Sequence, residues 1–410
     1  MDRALSLNPE LAEAHAAQGL ILIMGQGADF VAAESALRRA IDLDPTLVIA
    51  YNWLSIAVGS QGKFAEGRKV RESALLIDPL NPVMVENEAA RHSNQGDFRR
   101  AEKLLLRLME LPEPSGSAQR GLYNLYTSYG RMVDTNMWAK RLVLANADRP
   151  SIWNYALIGH HYRSLGMNND ADYWYEKAVA VATDGMSVFF VRSYSHKLQG
   201  KYADLKVLTE EFLKNSQVDE SKLPVFAAEI LGAIRISIGD YADGIALIET
   251  ILDPDKPIST TSGGGYDALD FMHMVAYGYR QNGQPEKADV LLEKLSSRVN
   301  NIADNYQSEQ PKILELRALN SGMRGDMDRA ARHFESAVNI GWRNYLFVVN
   351  DPRWQEILEN PEFKSQMAFV KSDLDRQSER IRAIDVKENF RAIVEQLETD
   401  NDRIGSKLTR

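Results

Sequence analysis

The stretch Ser151-Ile-Trp-Asn-Tyr155-Ala-Leu-Ile-Gly-His160-His-Tyr-Arg-Ser-Leu165-Gly-Met-Asn-Asn-Asp170-Ala-Asp-Tyr-Trp-Tyr175-Glu-Lys-Ala178, continuing to Gly185, decides the fold. It reads as two helices separated at Gly166. In the first, the small Gly159 sits among the large Tyr155, Ile158 and Tyr162; in the second, Ala171 and Ala178 bracket Tyr175. Small side chains let the two helices approach closely, and the large ones fill the space that remains. A helix pair alone cannot bury both of its faces, so neighbouring pairs must stack.

The same arrangement recurs on both sides. Pro45 and Pro79 stand 34 residues apart, and between them lie Tyr51, Leu54, Gly62 and Ala74. A glycine marks the end of the first helix in seven repeats: Gly62, Gly96, Gly166, Gly200, Gly239, Gly283 and Gly325. A left-handed residue after the last turn is a common way to end a helix. Two positions later an aromatic often follows (Phe64, Phe98, Tyr202, Tyr241), where it would plug the turn. The spacing predicts nine full or degenerate repeats, after a half repeat that ends at Pro9. Natural arrays begin with a capped unit, so the chain reads as a fragment of something longer, or as one whose first repeat is degenerate.

With Ile152 as position 1, the segment closely resembles the tetratricopeptide repeat, whose pattern over 34 residues is W-x2-L-G-x2-Y, then A-x3-F, then P. Tyr155, Ile158, Gly159, Tyr162, Ala171, Tyr175 and Ala178 match it, and only the final proline is missing. The resemblance covers roughly residues 1–345. It implies an all-α fold, a right-handed superhelical solenoid of antiparallel helix pairs, acting as a protein–protein interaction scaffold without catalysis of its own. The expected organisation is a repeat array over 1–345, interrupted by a flexible loop near 255–266, with capping helices over 346–410. Two prolines and Gly263-Gly264-Gly265 set that loop apart.

Composition narrows the functional classes. The 410 residues carry a net charge of −9, which argues against broad nucleic-acid binding. There is no cysteine, so disulfides and thiolate chemistry are impossible. No apolar run approaches the ~18 residues of a membrane span, and the N-terminus lacks the apolar core of a signal peptide. The expected compartment is the cytoplasm, or the periplasm if an upstream anchor is attached.

Chemical motifs fail one by one. Gly263-Gly264-Gly265 has neither a following Lys-Ser/Thr nor a preceding strand, so it is a linker rather than a phosphate loop. His160 and His161 are adjacent, about 100° apart around a helix, and cannot easily share an ion. No serine stands in Gly-x-Ser-x-Gly. The sequence therefore predicts no enzyme, no metal and no cofactor.

In the family it resembles, the first helix of each repeat lines the concave groove, through positions 2, 5, 9, 12 and 13. That places His160, Arg163, Phe190, Tyr194, Lys197, His273, Tyr277 and Arg280 as candidate partner-binding residues. They would form a basic, aromatic stripe for an extended or helical peptide with acidic and apolar side chains. Equally, some rings could be packing residues, and the cations could simply end their helices, where the dipole favours them. The Lys/Asn set of carboxylate-clamp members is absent.

The tail is more particular. Asn339-Ile-Gly-Trp342, Asn350-Asp-Pro-Arg-Trp354, Leu358 and Pro361-Glu-Phe363 resemble the closing segment of bacterial signalling proteins. Those proteins carry a repeat array behind a winged-helix or nucleotidyl cyclase domain. This implies the alternative of a sensing or regulatory arm whose effector domain lies upstream. Beyond it, residues 364–397 carry an amphipathic stripe, read as a cap on the last repeat or as a self-association helix.

Overall fold

In the computed structural model, residues 2–24, 28–112, 116–147, 149–216, 219–252, 266–306 and 310–408 are described, and among them helices are the only regular structure. After α1 (Asp2–Leu7) come nine consecutive helix pairs among the described residues. They are α2 (Ala12–Met24) with α3 (Phe30–Leu43), α4 (Val48–Ser60) with α5 (Phe64–Ile77), and α6 (Pro82–Asn94) with α7 (Phe98–Leu108). Next are α8 (Gly116–Ser128) with α9 (Met132–Leu144), α10 (Ile152–Ser164) with α11 (Asn168–Ala180), and α12 (Gly185–Leu198) with α13 (Tyr202–Ser216). Last are α14 (Val225–Ser237) with α15 (Tyr241–Glu249), α16 (Tyr266–Gln281) with α17 (Pro285–Tyr306), and α18 (Pro311–Met323) with α19 (Met327–Asn339). The tail holds α20 (Tyr345–Asn350), a 3-10 turn over Pro352–Trp354, α21 (Gln355–Leu358), α22 (Pro361–Glu388) and α23 (Phe390–Leu408).

The chain is thus an all-α helical repeat array. Short polar caps start many of its helices: Asp29, Asn81, Asp97, Ser151, Asp184 and Asp326 each accept a hydrogen bond from a backbone N–H two or three residues on. All seven glycines expected to end a first helix have positive φ. Gly130, at the end of α8, is an eighth that the spacing did not single out.

The helices form two compact units, one holding α1 to α7 and the other α9 to α23 apart from Tyr266 and Asp267 at the start of α16, with α8 divided at Ala118. In the first unit Ala33, Leu37 and Ala40 of α3 are wholly buried against Ala16, Ile23, Ala50 and Leu54. In the second, Ala171 and Ala178 are wholly buried, with Tyr155, Ile158 and Tyr162 packed beside them. The second unit also meets itself. A Cβ on Gly130 would lie 2.2 Å from the Gly341 carbonyl oxygen, and one on Gly341 would lie 2.3 Å from the Tyr129 carbonyl oxygen. The end of α8 therefore touches the end of α19, at a backbone approach that only a pair of glycines allows. The insertion expected near 255–266 lies, but for its last residue, outside the described residues.

The tail does more than cap the last pair. Phe334 of α19 gathers Trp342, Trp354 and Phe363 at ring-centroid distances of 4.8, 5.7 and 5.0 Å. From there α22 runs back over α9, where Gln377 accepts from the Met132 N–H at 2.8 Å and donates to the Gly130 carbonyl at 2.9 Å.

Replacing Ala178 with Trp would force a large ring into the seam between paired helices. Overpacking of this kind costs about 1–3 kcal/mol. A clear fall in melting temperature is expected; an unchanged one would mean that Ala178 does not face the seam.

Candidate functional site

The first helices of four pairs, α10, α12, α16 and α18, present the face expected to bind a partner. Part of that face is filled by the chain's own segment Tyr345–Trp354. Asn350 donates to the Leu198 carbonyl at 2.8 Å, and the Tyr202 hydroxyl donates back to the Asn350 carbonyl. The Lys197 ammonium stands 4.7 Å from the centre of the Phe347 ring, and Lys312 stands 5.8 Å from it.

Arg353 anchors the segment. Its guanidinium donates to the Asp270 carbonyl oxygen and carboxylate at 2.9 and 3.0 Å, and to the two Asp351 oxygens at 2.5–3.1 Å. Arg353 and Asp351 are buried, at 4% and 0% exposure. Lys312 pairs with Glu315 at 2.8 Å and reaches toward Asp270 at 3.9 Å. Burial alone would raise the Asp270 pKa, but Arg353, Lys312 and Lys197 hold it below the usual carboxylate range. Burial lowers the Lys197 pKa, with Asp351 opposing.

The eight candidate residues divide among four surroundings. His160, Arg163 and Tyr194 come together: the Tyr194 ring is 4.1 Å from His160, and His160 Nδ1 meets the Tyr175 hydroxyl at 2.6 Å. Arg163, only 1% exposed, is bound to Asp172 and, at 2.8 Å, to Asn168. Phe190 belongs to the core, against Phe189, Leu231 and Phe226. Lys197 and His273 border the Arg353 network; His273 is fully buried, with Nδ1 on the Leu269 carbonyl at 2.7 Å and Nε2 beside the Asn320 amide at 3.2 Å. Tyr277 packs edge-on to Tyr241, and Arg280 engages the Met323 carbonyl and, at 2.7 Å, Asp289.

The cations therefore do not line up as an open basic stripe. Arg163 and Arg280 each pair with an acid on the paired second helix, and Lys197 faces the Phe347 ring of the tail. His161 is buried, and its Nε2 has no hydrogen-bond partner among the described residues. Among the described residues, no three His, Asp or Glu side chains converge as they would on a metal ion. What remains open on this face is aromatic. Trp153 is 48% exposed and Tyr194 39%. Trp153 precedes His160 by seven residues, two helical turns and about 10 Å along the same face.

Sequence reasoning missed Trp153 as a contact residue, although it stands at position 2. It also missed Phe347, and Asp351 and Arg353, the last two inside the Asn350-Asp-Pro-Arg-Trp354 motif, which was read as part of the capping segment.

No family model matches the sequence, and no curated protein matches it. Solved structures that match include yeast Tom70, at 13% identity over 98% of this chain and 97% of that one, with a TM-score of 0.29. A tetratricopeptide repeat protein from Parabacteroides merdae matches at 15% identity over 87% and 99%, with a TM-score of 0.28. The TPR domain of P58(IPK) matches at 14% identity over 90% and 98%, with a TM-score of 0.22. At these TM-scores the likeness carries no argument, and the fold rests on the helix pairs themselves.

Arg353→Met leaves the Asp351 carboxylate buried and unpaired, and is expected to cost about 3–5 kcal/mol. Adding Asp351→Asn should recover much of that loss in a denaturant titration; no recovery would mean that the ion pair is not what holds the segment. Burial holds His161 at a pKa of about 3 and His273 at about 4, both below the ordinary value. A histidine lowered in this way lends full stability above the unfolded pKa of about 6.5 and loses it as pH falls toward the folded value. Melting temperature should drop from pH 6.5 to pH 4.5, and His161→Phe should shallow the drop.

Proposed function

We propose that this protein is an interaction scaffold that binds a protein or peptide partner and performs no chemistry of its own. The observation that carries the reading is the seating of Tyr345–Trp354 on α10, α12, α16 and α18. That face already holds a stretch of polypeptide through an aromatic ring under two ammoniums, a carboxylate–guanidinium pair and side-chain contacts to backbone carbonyls. These are the contacts by which a helical groove recognises a peptide. Beside the filled part, Trp153, His160 and Tyr194 form the open part of the same face. Tryptophan and tyrosine are the side chains that most often dominate interface energetics. The favoured partner presents apolar side chains to these rings.

Trp153→Ala with Tyr194→Ala removes both anchors while leaving the Arg163 pairing intact. Partners captured by the full chain are to be identified by mass spectrometry and then titrated against parent and variant. Each well-buried anchor is worth about 2 kcal/mol or more, roughly thirtyfold in affinity. A folded variant that binds as tightly as the parent would remove this face from the reading.

A further inference from the structure

The outer surface of α9, α10 and α11 carries a second built contact, and it is also filled by the chain itself. Helix α23 lies there. Its Phe390 ring stands 5.5 Å from Trp174, and the Lys140 ammonium is 5.5 Å from the centre of that ring. The Tyr173 hydroxyl donates to Glu395 at 2.7 Å, and the Tyr155 hydroxyl donates to Glu398 at 2.7 Å. Lys177 pairs with the second Glu398 oxygen. Arg391 reaches Asp170. The surface thus offers α23 a ring to stack on, two phenol donors and the Lys177 ammonium, while Lys140, beside the Phe390 ring, is paired with Asp385 and Glu388 of α22.

We propose that this surface is a docking site for an acidic amphipathic helix of a partner protein, and that α23 occupies it in cis. The inference rests on the scaffold reading and names a partner chemistry for it. Three features support it. First, the polar groups match: residues 390–398 present an aromatic, a valine and two glutamates at i, i+4, i+5 and i+8, the glutamates meeting two phenols and Lys177, while Arg391 meets Asp170. Second, α23 is lightly held. Among residues 390–400, whose burial is described, only Phe390 and Val394 are buried, whereas α22 buries Phe363, Met367, Val370, Leu374, Ser378 and Ile381. Third, the two helices are separated at Asn389, in the left-handed conformation at φ 49. A single-residue break lets α23 leave while α22 stays docked. Its other face keeps Ile393 exposed, so α23 is not sandwiched from outside.

The probe is a fluorescein-labelled peptide of residues 389–408, titrated by anisotropy against the full chain. In Phe390→Ala with Val394→Asp, the resident helix loses both buried side chains and vacates the surface. This variant should bind the peptide at least tenfold more tightly than the parent does. Adding Lys177→Glu with Tyr173→Phe should return binding to the parent level or below, and a peptide with Glu395→Lys and Glu398→Lys should not bind. Equal affinity of parent and released variant, or indifference to Lys177→Glu, overturns the proposal. Should the released variant unfold by circular dichroism, a second arm decides. The chain has no cysteine, so Tyr173→Cys with Glu395→Cys can be joined by a short bis-maleimide crosslinker that spans the space of the two lost side chains and locks α23 down. The crosslinked protein should lose whatever peptide binding the uncrosslinked form shows; equal binding overturns the idea. A dimer in which protomers exchange α23, detected by light scattering and by mixed single-cysteine variants, would assign the surface to a second copy and equally overturn it. If the peptide arms fail while the Trp153 and Tyr194 variant still loses its partner, this inference falls and the scaffold reading stands.

Discussion

The guanidinium of Arg353, held between Asp351 and Asp270, is the contact on which the second unit depends. It joins the tail to α16 from inside a space that would otherwise be an empty groove. Removing two carboxylates and a guanidinium from water is costly, and the arrangement is favourable only because nearly every donor finds an oxygen. Lys197, Lys312 and Glu315 extend the same balance, so three cations face three carboxylates across the seam. A neutral filling would pack as well, but it would not fix which residue of the tail meets which helix.

Much of the repeat logic was legible in the sequence because it is local. Gly166, Ala171 and Ala178 are small for reasons set within one helix pair, and the structure buries both alanines completely. The glycines that close the first helices were legible because a positive φ is a property of one residue. The groove was less legible. Arg163 and Arg280 were read as facing a ligand, yet Asp172 and Asp289 lie nine residues beyond each, on the paired helix. That spacing repeats and could have been noticed. The contacts that α22 makes with the repeat were not legible, since α22 arrives from more than 200 residues away. The tail motif was visible as a pattern, while its destination depended on the path of every helix between.

Both surfaces that could accept a partner are therefore seen with an occupant already on them. Tyr345–Trp354 is fixed by buried ion pairs and four packed aromatics, and it belongs to the core. Helix α23 is held by the buried Phe390 and Val394 and by partly exposed ion pairs, which contribute at most about 1 kcal/mol each. The difference in burial separates a structural ligand from a displaceable one, although the two use the same chemistry of rings, carboxylates and ammoniums.

The meeting of Gly130 with Gly341 has a consequence for how the second unit comes apart. An open stack of repeats behaves as a line of nearest-neighbour couplings, so it can fray from either end one unit at a time. Joining the first turn to the last removes the free ends. Each pair then has a neighbour on both sides, and no terminal repeat is left to melt first. A side chain as small as a methyl at either glycine would push the two turns apart and leave the tail contacts of Gln377 and Arg343 to hold the closure alone.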